Sequence, residues 1–224
     1  MKISEIFLSI DGEGVRSGLP TVFIRKIGCN CRCSYCDTTY SFNDDAGKNM
    51  SVNDIVEEVK RIGGGTKNIT FTGGEPLFYL DHKEENECKQ LLQELKDLRY
   101  QVNVETNGSI DLEPWERLVK PQGFFTMDWK CMSSKMTNKM VESNLEFLDY
   151  YDVLKFVVGS QEDLNQMKNV LDTHRINAQV FVSPVFGQIE PKEIVEFVLK
   201  NHLNRVRTQV QLHKIIWDPN MRGV

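Results

Sequence analysis

Short β-branched and aromatic runs alternate with helical patterns along most of the chain, and this alternation limits the fold more than any other feature. Residues 21–28, TVFIRKIG, read as a strand. Residues 51–62 read as a helix: Ser51 caps it, Asp54 completes a capping-box pattern, and Val52, Ile55, Val56, Val59 and Ile62 form one apolar stripe. A strand and its loop follow at 68–76, then a helix at 85–99 with Cys88, Leu91, Leu92, Leu95 and Leu98 on one face. Further strands are expected at 101–108, 123–130, 153–159, 179–187 and 207–216, and helices near 134–149, 161–173 and 191–201. Strand–helix repetition makes the strands parallel, joined by right-handed crossovers. About six such units fall short of a complete eight-fold barrel. An α/β fold of the partial, open parallel β/α barrel type fits, and so does a doubly wound sheet. No linker, low-complexity tract or repeat divides residues 1–224, so one domain is expected.

The unusual polar groups fall where strands end: the cysteine-rich 28–40, TGGEP at 72–76, ETNG at 105–108, DWK at 128–130, SPVFG at 183–187 and QLHK at 211–214. The carboxyl edge of a parallel sheet is where sites are built. With 27 basic and 32 acidic side chains, the net charge of -5 argues against a nucleic-acid partner. No apolar run is long enough for a bilayer, and MKISEIFLSIDGEG lacks the apolar core of a signal peptide. A cytoplasmic location is therefore expected. Thiols stay reduced there, so clustered cysteines point to metal or catalysis.

Residues 28–40, GCNCRCSYCDTTY, carry Cys29, Cys31, Cys33 and Cys36. A structural zinc site wants two separated ligand pairs; Cys33 and Cys36 form one, and no second C-x-x-C exists. An iron–sulfur cluster suits the spacing Cys29-x3-Cys33-x2-Cys36 better, because three thiolates on one loop can each reach a different iron. The fourth iron then stays open to the amine and carboxylate of a small molecule. On this reading Cys31 is a spare, buried or half-buried small side chain and Cys88 a core residue, while Cys131, following DWK, has no assigned role.

This spacing, with Tyr35 just before the last cysteine, resembles the radical S-adenosylmethionine enzymes. The resemblance implies a [4Fe–4S] cluster on Cys29, Cys33 and Cys36, with S-adenosylmethionine chelated at the open iron and cleaved to a 5′-deoxyadenosyl radical. It implies cofactor contacts from Tyr35, Cys36 and Asp37, and from Gly73, Gly74 and Glu75 at the methionine amine. It also implies Glu105 at the ribose, Lys130, Ser133 and Ser134 at carboxylate and ribose, and Ser183 and Val185 at the adenosine end. The plain readings beside these are a glycine turn with Glu75 as a cap, an Asn-Gly turn at 107–108, and a helix cap at Ser133 or Ser134.

The opening 7–38, FLSIDGEGVRSGLPTVFIRKIGCNCRCSYCDT, with the other motifs in order, resembles the 7-carboxy-7-deazaguanine synthase family over nearly the whole chain. That likeness implies 6-carboxy-5,6,7,8-tetrahydropterin as substrate, hydrogen abstraction from its C6, ring contraction and release of ammonia. It places Arg25 on a carboxylate, Ile10, Asp11, Gly12 and Glu13 on the pterin nitrogens, Thr72 and His213 beside the substrate with Lys214 nearby, and Thr38 on Mg²⁺. Family members usually carry Gln where this chain has Asp11. The family further implies a homodimer and a flavodoxin or ferredoxin as electron donor. Rival readings are a glycyl-radical-enzyme activase and a non-catalytic zinc or iron–sulfur module.

Overall fold

The computed structural model describes residues 1–224, except for the side chain of Asp44. Nine strands share one sheet: β1 (Lys2–Ile10), β2 (Pro20–Lys26), β3 (Lys48–Asn49), β4 (Asn68–Gly73), β5 (Gln101–Thr106), β6 (Phe124–Trp129), β7 (Val153–Val158), β8 (Gln179–Pro184) and β9 (Val206–Thr208). Their order is β3-β1-β2-β4-β5-β6-β7-β8-β9. From β2 to β9 each neighbouring pair is parallel, while β1 runs antiparallel to both β2 and β3. The crossovers carry α1 (Val52–Ile62), α2 (His82–Asp97), α3 (Glu116–Val119), α4 (Ser143–Phe147), α5 (Gln161–Thr173) and α6 (Pro191–Lys200), and α7 (His213–Ile216) follows β9. Six strand–helix units and a last strand make the open partial barrel. Among the described residues no helix is long and apolar enough to cross a membrane.

The helices are packed on one face only, which excludes the doubly wound alternative. Alternate strand residues, such as Ile24, Phe71, Val104, Met127, Phe156 and Val182, join the helix stripes in one apolar cluster. Their neighbours in sequence, Thr70, Thr72, Asn103, Thr126, Lys155 and Ser183, are buried polar residues on the opposite, concave face.

Local signals that needed no distant partner came out as expected. Ser51 and Asp54 form the capping box of α1, and its stripe is buried apart from half-exposed Ile62. Helix α2 begins at His82, before the expected 85, because Asp81 caps it by accepting from Glu84 N; Leu98 becomes its exposed C-cap. The expected helix at 134–149 is instead two 3-10 turns and the short α4. There the Ser134 hydroxyl serves Cys131 O and Met136 N, Lys135 adopts φ 62°, and Asn144 is drawn to Ile110 O and Leu112 N. The expected strand at 207–216 keeps only its start. Gln209 and Leu212 turn instead to the β1–β2 loop, through Gly14 N→Gln209 Oε1 at 2.9 Å and Leu212 N→Gly12 O at 3.1 Å. Strand β1 had no clear alternation to announce it.

Candidate active site

The concave face is a charged grid set by strand register. Arg25 lies opposite Thr72, Glu105 opposite Thr126, Asp128 opposite Lys155, and Val157 opposite Ser183. Lys155 Nζ is 3.1 Å from Asp128 Oδ1 and 3.2 Å from Glu13 Oε2. Lys130 Nζ pairs with Asp128 Oδ2 at 2.8 Å. Glu13, from the β1–β2 loop, also accepts from Ser183 Oγ at 2.9 Å and Gln211 Nε2 at 3.4 Å. Burial alone would neutralise these groups, but their partners outweigh it: Asp128 is held below the usual carboxylate range, and Lys130 and Lys155 above the usual lysine range. Glu105 moves the other way. Burial pushes its carboxyl up against the pull of Lys155, and Asp11, Asp128 and Glu13 add to the rise.

The cysteine loop closes one end of this face. Gly73 and Gly74 let it pack: a Cβ at Gly73 would lie 2.2 Å from Lys26 O, and one at Gly74 would lie 2.3 Å from Gly28 O and 2.7 Å from Cys29 Cβ. These glycines therefore make room for the loop's own backbone. Gly74 N and Glu75 N donate to Lys26 O and Gly28 O at 3.2 and 2.8 Å. Glu75 is fully buried and accepts from Leu77 N (3.1 Å), Thr106 Oγ1 (3.0 Å) and Asn107 N (2.6 Å). It clamps two loops together, and burial pushes its carboxyl up to about 7.

Cys29, Cys33 and Cys36 are partly exposed and Cys31 is buried. Cys29 Sγ accepts from Cys31 N at 3.3 Å and from Asn107 Nδ2 at 3.6 Å. The Cys31 thiol beside it is the main cause that lowers Cys29 to about 6, against burial; Cys31 itself is pushed far up. Burial also raises Cys33 and Cys36. Among the described residues no three His, Cys, Asp or Glu side chains converge on one metal-ion position. Three accessible thiols spread over one loop, with the fourth turned inward, fit a cluster whose ligands each take a separate iron.

The remaining expected residues divide in two. Tyr35 reaches Val157 O at 3.4 Å, and Thr72 is buried on the concave face. Arg25 Nε is held by Glu5 at 2.7 Å. His213 packs against Gly12 and is kept toward its neutral form by burial. Asp37 pairs with Lys214 at 3.0 Å, which outweighs burial and holds it down at about 2; Thr38 Oγ1 donates to its other oxygen at 2.8 Å. Others make contacts within the fold. Asp11 is locked by Arg16 (2.8 Å), Thr21 and Thr70, and its backbone N and O serve Leu19 and Gly18. Ile10 ends β1, paired with Pro20. Ser134 is buried in its own turn; Ser133 N donates to Asp163; Val185 N donates to Val158 O at 2.7 Å. Lys155, Asn107, Gln211 and Asp163 went unassigned in the sequence. Asp128 was quoted in DWK but given no role. A cleft of about 540 Å³ is lined by Met1, Lys26, Gly28, Phe78 and Glu84 among others, and contains the ion pairs Lys26–Glu84 and Met1–Glu87.

An open β/α barrel with a three-thiol loop after its first parallel strand defines a radical S-adenosylmethionine enzyme, and the Radical SAM superfamily pattern matches residues 24–160. The 7-carboxy-7-deazaguanine synthase of Clostridium acetobutylicum is 43% identical over 100% of this chain and 99% of its own length. That of Methanospirillum hungatei is 38% identical over 98% of this chain and 86% of its own. The chain belongs to the 7-carboxy-7-deazaguanine synthase family. The crystal structure of QueE from Escherichia coli shares the fold, with TM-score 0.74 and 21% identity over 95% of this chain and 94% of that one. The superfamily pattern and the curated relatives place the chain among radical enzymes and set aside the zinc module.

Proposed function

We propose that the chain converts 6-carboxy-5,6,7,8-tetrahydropterin to 7-carboxy-7-deazaguanine with release of ammonia, in 7-deazapurine (queuosine-type) biosynthesis. The observation that carries this is identity at 43% from end to end with a curated synthase of that name. The charged concave face supports it, since a nitrogen-rich bicyclic substrate with a carboxylate needs fixed acceptors and a cation. Cys29, Cys33 and Cys36 would hold the [4Fe–4S] cluster, which with S-adenosylmethionine would supply the radical chemistry. Glu13, fixed by Lys155, Ser183 and Gln211, is a preset acceptor for pterin N–H groups. Arg25 keeps its terminal nitrogens for a carboxylate because Glu5 takes only Nε. Thr38, whose hydroxyl here donates to Asp37, would supply an oxygen ligand to Mg²⁺. The cofactor is held by Tyr35, Asp37, Glu105, Lys130 and Ser133. We read the whole chain as one cytoplasmic domain, working as a homodimer reduced by a flavodoxin or ferredoxin, the dimer and the donor being carried by the family likeness.

Reconstituted protein, given the tetrahydropterin, S-adenosylmethionine, Mg²⁺ and reductant without oxygen, is expected to release the deazaguanine, read by mass spectrometry. Cleavage of S-adenosylmethionine with no deazaguanine formed would keep the superfamily and reject the substrate.

A further inference from the structure

Asn107 follows β5, where the sequence announces only an Asn-Gly turn. Its side chain is nearly buried, at 7% exposure. Nδ2 lies 3.6 Å from Cys29 Sγ and 3.2 Å from Asn30 Oδ1. Oδ1 accepts from Ser109 N at 2.9 Å and from Ser109 Oγ at 2.5 Å. That network fixes which end of the amide is which. Turned over, the oxygen would face a sulfur and another oxygen, and the NH₂ would face the backbone N–H of Ser109. The backbone is fixed as well, because buried Glu75 takes Asn107 N at 2.6 Å and Thr106 Oγ1 at 3.0 Å. A clamped, desolvated amide thus aims a hydrogen at one of the three thiols expected to bind iron.

The geometry points to Asn107 as a positioning residue for the cluster: its amide donates to the Cys29 thiolate and raises the cluster's reduction potential. Reduction adds one electron, shared over iron and sulfur, and no bond breaks. A donor at a ligand sulfur stabilises the electron-rich reduced form more than the oxidised one. Burial strengthens the effect, since water cannot replace the lost donor at full strength. Cys31 N adds a second donor, but every substitution at 31 except proline keeps that one. Asn107 is the removable member. The inference rests on the radical-enzyme assignment and not on the pterin.

The test is a dithionite titration of reconstituted Asn107→Leu, followed by electron paramagnetic resonance without S-adenosylmethionine or pterin. At a fixed potential the reduced-to-oxidised ratio is expected to fall about tenfold, which is about 59 mV for one electron. Ser109→Ala leaves Nδ2 in place and is expected to keep the wild-type midpoint. An Asn107→Leu protein with full iron and the wild-type midpoint overturns the inference. If Leu prevents loading, Asn107→Ser is read in the same way. Loss of iron in both variants also overturns it, because the side chain then only shapes the loop. Since no substrate is present, failure here is separate from failure of the deazaguanine assay.

Discussion

The two faces of the same strands obey opposite rules. On the helix side Phe71, Met127 and Phe156 are buried against apolar neighbours and carry no charge. One residue along, Thr72 and Lys155 face inward and are buried too, beside half-buried Asp128, so this side is enclosed but polar or charged. The backbone is identical on both sides, so side-chain partners make the difference. An isolated ion would be neutralised or expelled from such a place, whereas Lys155 persists because Asp128 and Glu13 lie within 3.2 Å of it. The outer face holds the barrel together by area; the inner face holds groups at set distances, and its charges come in compensating sets.

Paired substitutions test that contrast. Leu92→Ala on the outer side should cost about 2–5 kcal/mol of stability by leaving a cavity. Lys155→Met should cost a similar amount, about 3–5 kcal/mol, by stranding buried acids. Stability should not separate them; activity should. Per folded molecule Leu92→Ala is expected to keep kcat/KM within about twofold, while Lys155→Met loses about 100-fold because Glu13 and Asp128 lose their shared cation. Denaturation curves and anaerobic rates on the same samples decide it, and equal activities would dissolve the distinction between the faces.

Legibility in the sequence followed the same divide. The outer face and helices were readable because their periodicity is local: α5 occupies 161–173 as expected, and α1 has its capping box. The cysteine loop was readable as a spacing. The inner grid was not. Lys155 sits in VLKFVV like a tolerated charge, and Glu13 is 142 positions away. Asn107 is separated from Cys29 by 78 positions, and Glu75 from Asn107 by 32. The pair pattern that keeps a buried charge alive exists only after folding. The C-terminal strand failed for the same reason, since Gln209 and Leu212 are claimed by a loop near the other end of the chain.

Glu75 sharpens the comparison, because it is a fully buried acid with donors but no cation within ion-pair range. Leu77 N, Asn107 N and Thr106 Oγ1 favour the ionised form, while burial, helped by the Cys29 thiol, favours the neutral one and prevails at about 7. The native state therefore holds this proton to higher pH than the unfolded chain does. Its contribution to stability is present below about pH 4.5 and is lost as pH rises through about 7, a change of about 3 kcal/mol. The stability difference between wild type and Glu75→Gln should fall by about 2–3 kcal/mol between about pH 5 and about pH 8. A flat difference would mean that the hydrogen bonds have kept Glu75 ionised throughout.

The smallest expected effect lies at Cys31, inside the loop where the two faces meet. Cys31 is 2% exposed while its three neighbours remain accessible. If three thiolates anchor the cluster, the fourth sulfur is packing plus a weak donor toward Cys29. Cys31→Leu then strains a tight site by about 1–3 kcal/mol but leaves every ligand in place. Cys31→Ala avoids even that strain. Iron per chain, visible absorbance and S-adenosylmethionine cleavage should match wild type in the alanine variant. The alternative is a loop that closes all four corners of the cluster, and it makes the opposite demand: removing Cys31 would free a corner and change the spectrum. A spectrum that changes in Cys31→Ala would therefore mean that the inward-turned thiol is a ligand, and that the vacant iron on which the radical chemistry depends does not exist in the resting protein.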